Sequence, residues 1–156
     1  MLRCWCNLAV IVSLTMVGFV VAETPQPEPD ALKVADAEWP EFRGPTGQGH
    51  SSAVGLPSTW SETDNIAWKV TIPGHGWSSP VINREQIWLT TSDDDRQTLR
   101  VLCLDRDSGH LRHNVVVVKL AEAGVVQDKN TLASPTPLLE GDRVYVHFGP
   151  HGTACL

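Results

Sequence analysis

The spacing of the apolar runs constrains this chain more than any other feature. From Trp39 onward the runs are short: NIAWKVTI, SSPVI, QIWLTT, LRVLCLD, HNVVVVK, SPTPLL and RVYVHF. Turn formers such as PGHG, SDDD, DRDSG and EGD stand between them. No stretch sustains a 3.6-residue apolar period; residues 119–129 come closest, and Gly124 interrupts them. Short runs bounded by turn residues predict an all-β fold of antiparallel strands.

The runs also repeat. SSPVI at 78–82 is echoed by ASPTP at 133–137, with Ser79-Pro80 and Ser134-Pro135 spaced 55 residues apart. Each pair is followed by a polar turn and an aromatic strand, IWLTT and then VYVHF. Each then reaches a Cys-Leu pair, at Cys103 and at Cys155, 52 residues apart. IAWKV at 66–70 reads as a strand leading into the first unit, and HLRHNVVVV takes the matching place before the second. Four strands in a repeat of about 50 residues is the sequence signature of a propeller blade.

The stretch CLDRDSGHLRH falls between the third and fourth strands of such a unit. There an Asp can bind the backbone two residues on, and Gly109 can take a positive φ. This stretch resembles the repeat motif of the PQQ-like (quinoprotein-type) β-propellers, Ala-x-Asp-x-x-Thr-Gly-x-x-x-Trp. Cys103 stands for the Ala, Asp105 matches, Ser108 stands for the Thr, Gly109 matches and His113 stands for the Trp. Trp68 looks like the motif tryptophan of the preceding blade. The ordered series WPEFRG, GLPSTW, AWK, PGHGWSSPV and SPTPLLEGDRVYVHFG is similar to exported bacterial members of that family, over residues 39–156.

The resemblance implies a partial propeller of about two four-stranded antiparallel blades. It also implies an N-terminal fragment, because the family continues past Leu156 with an Asp, the turn and a further strand. In the family the motif Trp packs between blades over a small residue, and the Asp and Thr fix the turn. Trp68, Ser79, Pro80, Cys103, Asp105, Ser108, Gly109, Ser134, Pro135 and Cys155 are therefore expected to be structural repeat residues. Cys103 and Cys155, one blade apart, should be buried small hydrophobes pointing the same way and not a disulfide.

Other candidate chemistry reads blandly. A calcium loop wants further acidic ligands after Asp105 and Asp107, and Gly109 follows instead. His147 and His151 flank Gly149-Pro150, where helical spacing for a metal does not apply. GPTGQG lacks the Lys-Ser/Thr of a phosphate loop and reads as a turn-rich N-terminal segment. In family relatives such a segment, with Trp39 and Arg43, joins the ring near its closure. Asp93, Asp94, Asp95 and Arg96 read as a solvated hairpin tip. Trp77 is the aromatic best placed to line a central channel. True quinoprotein dehydrogenases of this fold use a vicinal disulfide and a calcium Glu/Asn pair, which no residues here match.

The first 22 residues carry one basic residue, Arg3, then the apolar run LAVIVSLTMVGFVV and Ala22. That is the layout of a secretory signal peptide. Residues 23–38 are acidic and Pro-rich and read as a flexible linker. Cleavage after Ala22 would leave eleven basic against eighteen acidic residues, a net charge of −7. That charge argues against nucleic acid as a partner. No membrane span is expected after signal cleavage.

The expected function is a non-catalytic binding or scaffolding module, periplasmic or extracellular, with a protein or envelope component as partner. No cofactor is expected and no catalytic or metal residue is assigned. The alternative is a fragment of a quinone-dependent dehydrogenase, which alone would call for PQQ and calcium.

Overall fold

The computed structural model describes residues 38–156; the signal peptide and nearly all of the linker lie outside the described residues. The described residues form an all-β protein with two antiparallel sheets, neither of them closed. The first is a meander of β1 (Val81–Ile82), β2 (Gln86–Ser92), β3 (Thr98–Asp105) and β4 (Leu111–Lys119). The second is a meander of β5 (Leu138–Glu140), β6 (Arg143–His147) and β7 (Thr153–Cys155). A single 3₁₀ turn, Gly149–His151, joins β6 to β7.

Alternation decides which face of each strand is covered. Along β6, Val144 and Val146 are buried while Arg143 and His147 are exposed. The centre of β3 is buried on both faces, from Val101 through Leu104. One core serves both sheets: Val81, Trp88, Leu99, Val101 and Cys103 pack with Val144, Val146 and Phe148, joined by Leu132 and Ala133.

The registers define how the sequence repeats in space. Val81 pairs with Trp88, and Trp88 with Cys103. In the second sheet Leu138 pairs with Tyr145, and Tyr145 with Cys155. Val81 therefore corresponds to Leu138 and Trp88 to Tyr145, an offset of 57 residues. This corrects the 55-residue spacing of the Ser-Pro pairs. The proline preceding β1 is Pro80, and its counterpart preceding β5 is Pro137, not Pro135. The two equivalent positions touch: the Ser79 amide donates to Thr136 Oγ1 at 3.1 Å.

Two expected strands change. IAWKV forms no ladder, although Trp68 within it is anchored. A strand exists by pairing, and this segment has no neighbouring backbone in register. SSPVI contracts to Val81–Ile82, because Pro80 has no N–H to give a ladder.

The N-terminal segment ties the two sheets together. Trp39 and Ile82 exchange both backbone hydrogen bonds, at 2.7 and 2.8 Å. The next residue, Pro40, accepts from the amide of Leu139 on β5 at 2.8 Å. So the first strand of each sheet is bonded to the same two residues, and β1 also contacts β5 directly.

Candidate functional site

The corner after β3 is built by Asp105. Its Oδ1 accepts from the Ser108 hydroxyl at 2.7 Å, the Ser108 amide at 2.8 Å and the Asp107 amide at 3.1 Å. Its Oδ2 accepts from Arg112 Nε at 3.0 Å and also from Arg112 Nη2. The Ser108 hydroxyl and amide, with Arg112, hold the Asp105 carboxyl well below the usual carboxylate range. Arg112 also reaches Glu85 Oε2 at 3.5 Å, and the Arg106 amide donates to Glu85 O at 2.9 Å. The corner is thereby fastened to the turn between β1 and β2.

Trp68 docks on this corner from 38 residues away. Its Nε1 donates to Arg106 O at 2.9 Å. Its ring covers Gly109, where φ is +71° and an added Cβ would stand 2.5 Å from Trp68 Cε3. Only glycine satisfies both conditions at this position. Trp68, Asp105, Ser108 and Gly109 thus form one cluster.

Cys103 lies at the middle of a second arrangement. It pairs with Trp88 on one side and His113 on the other. Those two rings stack across it with centroids 6.0 Å apart and planes 13° apart. A small side chain between the strands leaves room for the rings to meet. His113 therefore makes its aromatic contact inside its own sheet, which differs from the inter-blade packing of a motif tryptophan. Burial pushes the Cys103 thiol up to about 11. Cys155 does not share this environment. Both cysteines are free, but Cys155 is exposed, correcting the expectation of two buried thiols. Among the described residues its strand β7 pairs only with β6, whereas β3 has neighbours on both sides.

The remaining repeat residues serve connections. Ser134 Oγ bonds Asn130 Oδ1 at 2.5 Å and Thr131 O at 3.1 Å, closing the loop before β5. Pro135 O accepts from Thr90 Oγ1 at 3.4 Å, which joins that loop to β2. The hairpin tip after β2 is not wholly solvated. Arg100 forks onto Asp93, Nε to Oδ1 at 2.8 Å and Nη2 to Oδ2 at 3.0 Å. Hydrogen bonding to Arg100 lowers the Asp93 carboxyl below its ordinary value. His147 Nδ1 bonds Thr153 Oγ1 at 2.8 Å, so its nearest polar partner is not His151. Among the described residues no group of three His, Cys, Asp or Glu is placed to hold a metal. Among the same residues no helix is long and apolar enough to cross a membrane.

Sequence reasoning missed one concave feature. A cavity of about 360 Å³ opens between residues 74–77, the β2–β3 hairpin and residues 126–132. Its polar side chains are His75, Arg96, Asn130 and Thr131, beside Trp77. No local motif could have shown it, because it is assembled from three separate segments.

Fold and site define an all-β protein of two successive antiparallel meanders, with acidic corner residues committed to turn geometry. No protein-family profile, curated protein or solved structure matches this chain.

Proposed function

We propose that residues 39–156 are PQQ-like propeller blades and that the chain is a non-catalytic binding or scaffolding module of the periplasm or cell envelope. One observation carries this reading. The groups of the repeat motif that could do chemistry are all committed to structure. Both Asp105 oxygens are engaged by Ser108, Asp107 and Arg112, and the Trp68 N–H by the backbone of Arg106. A general base or metal ligand needs a free lone pair aimed at a reacting atom, and this corner offers none.

The blade reading has further support. The two meanders share a 57-residue register, their first strands lie against one another, and Trp68 brings a preceding segment onto the first sheet. Neighbouring wedges that bury their faces sideways would be related in this way.

Titration calorimetry of the chain with pyrroloquinoline quinone and calcium tests the function. The binding-module reading expects no heat of binding at micromolar concentrations. Binding at or below about micromolar Kd, with dye-linked alcohol or sugar oxidation, would overturn it in favour of the dehydrogenase alternative.

A further inference from the structure

The cavity bounded by residues 74–77, 96 and 126–132 has a lining unlike the rest of this acidic chain. It contains one cation, Arg96, and no Asp or Glu. The carboxylates nearest in sequence are occupied elsewhere. Asp94 Oδ1 lies 3.2 Å from His75 Nε2, and Asp95 Oδ1 accepts from the Gln97 amide at 2.8 Å. Asp93 is forked by Arg100. Among the described residues the Arg96 guanidinium has no ion-pair partner. Its backbone is held firmly: the Arg96 amide donates to Asp93 O at 2.8 Å and its carbonyl accepts from Gly124 at 2.9 Å. A left-handed φ of 57° at Arg96 sets where the side chain departs from the hairpin.

Other donors accompany it. Asn130 Oδ1 is taken by the Ser134 hydroxyl and the Thr131 amide, which leaves Asn130 Nδ2 as a spare donor. Trp77 is 60% exposed, and its indole nitrogen has no partner among the described residues. Val126 and Leu132 complete the wall with aliphatic surface. The volume sits at the low end of the range for small-molecule pockets, about 300–1,000 Å³.

We infer that this cavity is a binding site for an acidic monosaccharide, a hexuronic acid in class. The inference stands apart from the blade reading and needs only the cavity. A uronic acid carries one carboxylate for a guanidinium fork, a rim of hydroxyl oxygens for Asn130 and the indole N–H, and an apolar C–H face for a single aromatic wall. A flat aromatic acid would want two stacking faces, and only Trp77 offers one.

The test is titration calorimetry of the whole chain with D-glucuronate, with D-glucose and benzoate as separate probes. Glucuronate should bind with a Kd of about 1 mM or tighter, in keeping with a ligand of its size. Glucose should bind about tenfold more weakly or not at all, because it lacks the charge. Arg96→Asn keeps a residue that tolerates the left-handed backbone and should cost at least about tenfold. Trp77→Ala should weaken binding about fivefold or more, and its exposure keeps the fold intact, as thermal melting would verify. No glucuronate binding, equal binding by glucose, tighter binding by benzoate, or unchanged binding in Arg96→Asn would each overturn the assignment.

Discussion

The indole of Trp68 rests on the bare α-carbon of Gly109, and its N–H is spent on the carbonyl of Arg106 at 2.9 Å. This contact joins residues 41 apart in sequence and converts a polar turn into a receptor for an aromatic ring. It also accounts for glycine at the fifth position after the β3 aspartate begins its turn: any side chain would occupy the space of the ring.

Gly109→Ala should therefore lose about 3 kcal/mol, combining a left-handed backbone with overpacking. Gly141→Ala is the control, since its φ is +60° but nothing lies within 4 Å of its added Cβ. It should lose only about 1 kcal/mol, from backbone strain. Trp68→Phe keeps much of the ring and removes the hydrogen bond, at about 1 kcal/mol. Urea denaturation of the variants measures all of these.

Acid should weaken the Asp105 corner. Its folded carboxyl titrates below the value of an unfolded aspartate, about 3.9, so in that range the unfolded chain binds more protons. The stabilisation is fully present above the unfolded value and is lost as pH falls towards the folded one. Asp105→Asn retains an acceptor for Ser108 but not the charge. The melting-temperature gap between the native chain and this variant should be constant above about pH 5 and should narrow below about pH 4.

Cysteine labelling should separate the two thiols. Cys103 is buried and pushed up to about 11, so little thiolate forms at pH 8 and none is reachable. Peptide mapping after brief iodoacetamide treatment should find Cys155 alkylated and Cys103 protected until the protein unfolds. A raised folded value also sets the sign at high pH: this thiol favours folding below its unfolded value near 9.0 and that contribution is lost as pH rises through about 11.

The Trp88–His113 stack depends on a small residue at position 103. Cys103→Leu should part the rings and cost about 1–3 kcal/mol, whereas Cys103→Ala should cost less than about 1.5 kcal/mol. Near-ultraviolet circular dichroism of Trp88 would report the loss of stacking in the first variant and its persistence in the second.

Arg100 and Asp93 form a bidentate pair whose side chains are 26% and 32% exposed. A double-mutant cycle with Arg100→Gln and Asp93→Asn should give a coupling of about 1 kcal/mol that shrinks in high salt.

Much of the strand pattern was legible in the sequence, because β2, β3, β4 and β6 are apolar runs closed by strong turn formers. The first strands were harder. Pro80 and Pro137 withhold amides, so most of SSPVI and of SPTPLL cannot enter a ladder. The repeat phase was misread for a related reason. SPTP contains two candidate dipeptides, Ser134-Pro135 and Thr136-Pro137, and only strand pairing reveals that the second is equivalent to Ser79-Pro80. The exposure of Cys155 follows from which strands neighbour β7, a relation between elements that linear spacing does not carry. Arg112, which completes the Asp105 corner, lies just past the turn and looked like an ordinary strand residue. The cavity needed three segments to converge and left no local trace.

Hydrogen exchange at the tryptophan indoles, followed by nuclear magnetic resonance, tests the central claim most directly. The account holds that Trp68 is docked on the β3–β4 corner while Trp60, 67% exposed, is not. It predicts that the Trp68 indole proton exchanges at least about a hundredfold more slowly than that of Trp60 and that Gly109→Ala abolishes the difference. Equal exchange rates for the two indoles in the native chain would contradict it.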